Sequence, residues 1–350
     1  PRDTPRPDAA GQRALDDNRQ ARIARRETDI AENNVSLGNA GFLPTLSGQA
    51  NYSKTRSNSE QVFLSGETQS TDGATSTQSG AGADLRWTVF DGLRPFATYD
   101  RLGAERDRQA AATDEQVETL VADVIEGYYD VARQQQQLEV LRETVAISRE
   151  RLRIVELRRD LGSASDLEVR QVRVDLNADS TEALRQAAAL TNAKNQLNRL
   201  LARPEDASTR YAVASAIEVD TSLQYASTQQ TALQESPALT QAREALRAAQ
   251  AEQRELRADF FPTVDLTAGL NYSQLNAESG FVQENTSTEV TYGVSLTLDL
   301  FDGLNRWRRT QNADIRTTNA RLAVEDVRAR LVTELTNAYE RYRNRLRLVD

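Results

Sequence analysis

The side chains able to do chemistry here are carboxylates, guanidiniums and hydroxyls, because the 350-residue chain has no histidine and no cysteine. That removes the commonest general base, the commonest metal ligand, every thiolate nucleophile and every disulfide. Acidic pairs such as Asp16-Asp17 and Glu325-Asp326 diverge on a helix and read as solvated surface. There is no glycine-rich phosphate loop and no acidic cluster with calcium-loop spacing. These absences exclude classical hydrolytic triads, thiolate zinc sites and nucleotide hydrolysis, so the expectation is a non-enzyme without cofactor or metal. The formal charge is −9, with Lys54 and Lys194 the only lysines and no basic run, which disfavours nucleic acid as a partner.

The polar residues that do invite attention lie in Asp160-Leu161-Gly162-Ser163-Ala164-Ser165-Asp166-Leu167-Glu168. Gly162 suits a left-handed helix stop, and Ser165 with Glu168, or Ser163 with Asp166, suits the capping box of a returning helix. Long helices must position this turn. Val117, Val124, Val131, Leu138, Val145 and Leu152 recur every seven residues, the mark of a supercoiled seam. An uninterrupted helix over 93–161 would be roughly 100 Å long. The return helix over 165–202 carries its own seam at Val169, Leu176, Ala183, Leu190 and Leu197. Asp179 and Gln186 intrude on that seam and predict a thin contact.

Four segments alternate apolar and polar residues. Val290, Tyr292, Val294, Leu296, Leu298 and Leu300 are the clearest; Val264, Leu266, Ala268, Leu270 and Tyr272 are similar. Ala83, Leu85, Trp87 and Val89 follow the rule, and Leu46, Gly48, Ala50 and Tyr52 follow it weakly. Strands are expected at 44–56, 81–90, 262–274 and 289–300. Period two over about 10 residues suits a strand crossing a bilayer, with Tyr52, Tyr272 and Trp87 at aromatic girdles; it also suits a small water-soluble sheet. Ser59 to Gly82 and Asn276 to Thr288 read as flexible polar loops. No run of 18 apolar residues occurs, so no spanning helix is expected. The start at Pro1, without methionine or signal-peptide pattern, reads as a processed or trimmed product.

The segments are duplicated. Phe42-Leu43-Pro44-Thr45 recurs as Phe260-Phe261-Pro262-Thr263, and Val89-Phe90-Asp91-Gly92-Leu93 as Leu300-Phe301-Asp302-Gly303-Leu304. The expected organisation is a first repeat over 1–203, an equatorial linker over 204–230, and a second repeat over 231–350 whose long helix, 303–350, stops part-way. Four strands leave open edges, so a membrane reading demands other subunits, and three copies would supply twelve strands.

These paired motifs, the turn at Gly162 and Leu197-Asn198-Arg199-Leu200-Leu201 together resemble the TolC-like outer-membrane factor family of drug-efflux and type I secretion channels. The resemblance implies a mainly α fold with transmembrane β: a homotrimeric twelve-stranded barrel in the Gram-negative outer membrane, continued by a periplasmic α-helical barrel with a belt that includes Pro204 to Ser236. It implies a passive duct whose partners are a periplasmic adaptor, an inner-membrane transporter and outer-membrane lipid. Leu161, Gly162 and Ser163 would be adaptor contacts at the tip, with Asp166 and Glu168 as aperture acids that select by charge. Phe42, Pro44, Phe90, Asp91, Gly92, Phe260, Pro262, Phe301, Asp302 and Gly303 would mark the barrel boundary, and the Arg-rich Arg306-Trp307-Arg308-Arg309 would touch headgroups or the belt. The alternative is a soluble, elongated coiled-coil structural or adaptor protein.

Overall fold

The computed structural model describes residues 18–203, 211–214, 221–280 and 282–347. Asp16-Asp17, Asp350 and much of the expected linker lie outside the described residues. The elements run α1 (Arg19–Asn34), β1 (Thr45–Val62), β2 (Thr68–Asp91), α2 (Arg94–Asp160), α3 (Asp166–Leu200), α4 (Tyr225–Glu235), α5 (Pro237–Ala258), β3 (Thr263–Ala277), β4 (Glu284–Thr297) and α6 (Asn305–Leu346). Contacts group them into two compact units. One holds Ala31–Arg108 and Ala242–Val327; the other holds the described residues up to Ile30, Gln109–Gln241 and those from Arg328 onward.

The first unit carries one antiparallel sheet in the order β1-β2-β3-β4, so β1 and β4 are its free edges. Registers fix what each face presents. Leu46, Leu85, Ala268 and Tyr292 form one row across all four strands, flanked by Gly48, Ala83, Leu270 and Val290 on one side and by Trp87, Leu266 and Val294 on the other. The opposite face carries Thr45, Arg86, Thr267 and Gly293, then Ser47, Asp84, Gly269 and Thr291. One face is therefore apolar and the other polar along the whole apolar stretch, as period two requires. Among the described residues no layer covers the edge strands, β1 and β4 being exposed at every residue, while Leu85 and Leu266 in the middle are partly exposed. Tyr272 lies six residues along β3 from Leu266, the partner of Trp87, so the two aromatics stand about 20 Å apart along the strand.

The expected loop from Ser59 to Gly82 is instead strand. The β1–β2 ladder runs to Val62 opposite Thr68, interrupted at Asn58, whose side-chain carbonyl accepts the Gly73 N–H at 2.6 Å. This stretch has too few apolar side chains to alternate, so the hydrogen-bonded ladder alone defines it. Gly82 does not end a strand but sits inside β2, where an added Cβ would lie 2.2 Å from Asn271 Oδ1. The second expected loop shrinks similarly, with β3 reaching Ala277 and β4 starting at Glu284.

The second unit packs α2 against α3. Leu120, Val124, Tyr128, Val131, Leu197, Leu200 and Leu201 are buried together with Ala21 and Val213. Gly127 keeps the helices close, since a Cβ there would sit 3.3 Å from Leu200. Val213 is held by two hydrogen bonds to the Gln135 amide, and the Tyr128 hydroxyl accepts the Ala214 N–H at 3.0 Å. The polar seam positions are paired with α2 rather than merely tolerated: Ser148 donates to Asp179 at 2.5 Å, and Gln186 donates to the Gln134 side chain at 2.6 Å and to its carbonyl at 3.2 Å.

Candidate functional site: the helix turn and the strand-to-helix junctions

The turn between α2 and α3 is built by its own backbone. Gly162 adopts φ +74°, its N–H donates to Arg159 O and the Ser163 N–H donates to Arg158 O, each at 2.8 Å. This double bond pattern closes α2 in the Schellman manner. Of the two capping schemes, the Ser165 one supplies its N-cap half, with Ser165 Oγ accepting the Glu168 N–H at 3.2 Å, while the Glu168 carboxylate pairs with Arg158. Ser163 Oγ instead donates back to Arg158 O at 3.0 Å. Behind the turn, Val155, Val169 and Val172 form a small core with Leu152 and Ala164.

The apex itself is open. Leu161 is 75% exposed and Leu167 73% exposed, and nothing lies within 4 Å of a Cβ added at Gly162. Asp166 is exposed on the first turn of α3; Glu168 is half-exposed and pairs with Arg158 at 3.7 Å. Between the helix ends lies an open groove of about 870 Å³, lined by Ile147, Ile154, Val155 and Val172 with Glu150, Arg158 and Glu168 among them. Leu161, Gly162, Ser163, Asp166 and Glu168 thus share one turn. Its apolar side chains are bare and its carboxylates lie beside them, so it offers a surface that a partner can bind.

The strand-to-helix junctions belong to the other unit. At both, the chain leaves the sheet through Phe-Asp-Gly-Leu with two successive left-handed residues: Gly92 and Leu93 at φ 72° and 67°, Gly303 and Leu304 at 69° and 67°. Phe42 stacks edge-on against Phe96, and Phe260 against Trp307 in the same manner. Pro44 and Pro262 immediately precede β1 and β3. Asp302 accepts the Arg306 N–H at 2.8 Å, whereas Asp91 pairs with Arg94 at 3.3 Å.

Sequence reasoning missed the residue at the centre of this junction. Asp259 is bound by Arg94 and by Arg309, the latter at 2.9 Å, while its carbonyl accepts from Arg306 at 3.2 Å. Two guanidiniums of the Arg-rich segment, those of Arg306 and Arg309, thus meet at Asp259. The available signal was the contrast between Asp259 and Gly41 before otherwise matching Phe-x-Pro motifs. Asp265 was missed as well; it accepts from Arg86 at 2.8 Å and Thr88 at 2.6 Å on the polar face of the sheet.

A family model described as outer membrane efflux protein matches residues 10–203 and 228–346. The chain belongs to this family. Among outer membrane efflux proteins, it is 25% identical over 322 residues to the alkaline protease secretion protein AprF of Pseudomonas aeruginosa, covering 89% of this chain and 64% of AprF. It is 26% identical over 271 residues to the cation efflux system protein CusC of Escherichia coli K12, covering 77% of this chain and 56% of CusC. The fold is that of the outer membrane protein VceC of Vibrio cholerae, with a TM-score of 0.71 at 16% identity over 95% of this chain and 78% of VceC. The chain spans 54% to 64% of the length of the curated relatives it matches. Both duplicated motifs and the turn at Gly162 fall inside the residues matched to the outer membrane efflux protein model.

Proposed function

We propose that this chain is the protomer of a passive export duct in the Gram-negative outer membrane, extending into the periplasm and assembled as a homotrimer. The observation that carries the reading is the sheet: one face apolar and uncovered, the other polar, and both edges free. In water such a sheet would expose its apolar rows and two unpaired edges, which favours aggregation. In a closed barrel of three copies the apolar rows meet lipid, the polar rows line a lumen, and no edge remains. The same argument disfavours the soluble coiled-coil alternative. We take 1–203 and 231–350 as the two repeats joined by the linker 204–230, a division supported by the matched junctions at Gly92 and Gly303.

The helix turn supplies the gate and its coupling. Leu161, Gly162 and Ser163 offer an exposed apolar and backbone surface to a periplasmic adaptor, which links the duct to an inner-membrane transporter. Asp166 and Glu168 place carboxylates beside that aperture, favouring cations. The duct holds no cofactor and does no covalent chemistry; the transporter supplies the energy. Relatives named for protease secretion and for cation efflux support export without choosing a cargo.

The test is conductance of the full-length protein in planar bilayers. Discrete, cation-preferring channels are expected, with the preference reduced in Glu168→Gln. A protein that stays monomeric and soluble without detergent, and never conducts, would sink the duct. A cation preference untouched by substitution of Asp166 and Glu168 would refute the aperture role alone.

A further inference from the structure

The two strand-to-helix junctions repeat one sequence pattern but place their cations differently. In the second, the guanidinium of Arg306 lies 5.4 Å from the centre of the Phe260 ring, and its Nε pairs with Asp302 at 3.4 Å. An aromatic face beside a carboxylate makes a cation site, and here the chain fills it itself. The matching residues of the first junction are Phe42 for Phe260, Asp91 for Asp302 and Phe96 for Trp307, while Pro95 stands where Arg306 would be.

Those four residues line a pocket of about 210 Å³ together with Trp87 and Phe90. Local structure explains why the rings converge. The β2–β3 ladder skips Val89, so Trp87 opposes Leu266 and Phe90 opposes Val264, and both stay on the apolar face where a regular strand would turn Phe90 to the polar one. The Trp87 indole N–H donates to Phe42 O at 3.0 Å, and the Phe42 ring meets Phe96 edge-on, which ties three of the rings together. The carboxylate between them is only half satisfied. Arg94 Nε reaches Asp91 Oδ2 at 3.3 Å, but the same guanidinium also binds Asp259. Asp91 Oδ1 is buried and accepts no hydrogen bond from any described residue, an arrangement that costs free energy until a donor arrives. Among the described residues no cation stands over the rings of Phe42, Trp87, Phe90 or Phe96.

We infer that this pocket binds a protonated amine carried on an apolar chain, with the ammonium between Asp91 and the aromatic rings as Arg306 lies between Asp302 and Phe260. The volume holds about seven groups of water size, at roughly 30 Å³ each. That suits an amine head with a few carbons, the rest of the chain running out along the apolar rows that pass through Trp87 and Leu266. Two kinds of molecule carry this chemistry, a phospholipid with an ethanolamine headgroup and a free amphipathic amine. The pocket lies where the apolar rows end, which favours the lipid; that preference rests on the outer-membrane reading above.

The site is tested on full-length protein in neutral maltoside micelles, titrated with octylammonium or with octanol and read by the fluorescence that Trp87→Phe protein lacks. Octylammonium is expected to saturate that signal at least about tenfold more tightly than octanol. Asp91→Asn should bring the two within about twofold, and so should Pro95→Arg, which copies the second junction and supplies the cation from the chain. Where Asp91→Asn does not fold, Pro95→Arg decides. Octylammonium no tighter than octanol, or unaffected by Pro95→Arg in protein that runs as a folded trimer, overturns the site and leaves the duct standing. The source is settled by passing the protein through vesicles of equal parts phosphatidylethanolamine and phosphatidylglycerol, washing it in maltoside and measuring the lipid it keeps. The unaltered chain is expected to keep at least about fivefold more phosphatidylethanolamine than either variant. Equal retention, with octylammonium bound as expected, overturns the lipid and assigns the pocket to a free amine. A protein that binds octylammonium in micelles but never conducts overturns the duct and not the pocket.

Discussion

Ala268 and Thr267 are neighbours on β3 with opposite surroundings, and a charge placed on each should separate lipid from lumen. Ala268 lies in the row of Leu46, Leu85 and Tyr292, four residues from Val264 and four from Tyr272. It is therefore about 13 Å along the strand from either end of the apolar band, or roughly 10 Å in depth for a strand tilted near 40°. Both residues are exposed in the single chain, so neither substitution removes a buried contact there. If the apolar face meets lipid, Ala268→Arg puts a guanidinium near the bilayer midplane, at a cost of about 2–4 kcal/mol per chain. That is a shift of roughly 30- to 900-fold in the folding equilibrium. Thr267→Arg points the same group into the polar row of Thr45, Arg86 and Gly293 and should cost below about 1 kcal/mol. The assay is denaturant titration of protein refolded into phospholipid vesicles, read by the mobility of the folded form. Costs within about 0.5 kcal/mol of each other would refute the assignment of the two faces.

At the helix turn, Ser165→Ala should remove the cap on α3 and cost about 1 kcal/mol, visible as faster amide exchange at Glu168 and Val169. Gly162→Ala meets no neighbouring atom but must hold φ +74°, so about 1–2 kcal/mol is expected from backbone strain alone, measured by thermal unfolding. Tyr128→Phe removes the acceptor of the exposed Ala214 N–H and should destabilise by about 0.5–1.5 kcal/mol, whereas Tyr128→Ala should cost about 3–5 kcal/mol. Denaturant midpoints distinguish the two.

Periodicity made the helices and the inner part of the strands legible, because buried apolar residues impose it. Val124, Val131 and Leu138 are seam residues in sequence and buried in the structure. Alternation likewise found the apolar rows of β3 and β4. It failed where no side chain is buried: between Ser59 and Gly82 the ladder is held by backbone hydrogen bonds, to which hydropathy is blind. The turn at Gly162 was readable because its contacts are local. Asp259 was not, because Arg94 and Arg309 come to it from distant parts of the chain, and an isolated carboxylate carries no sign of its partners. Asp179 and Gln186 looked like weaknesses in a seam until Ser148 and Gln134 supplied the other half of each bond.

Past Tyr52 the β1–β2 hairpin continues for another ten residues of β1 as a ladder whose β1 side chains are all exposed. Such a stretch constrains its sequence only to residues that tolerate an extended backbone. Serine, threonine and glutamine can be exchanged there with little effect on folding, so under the proposed orientation this hairpin is where the protein is free to diverge. It is also where a short epitope inserted beside Gly66 should be displayed on living cells without disturbing the rows below.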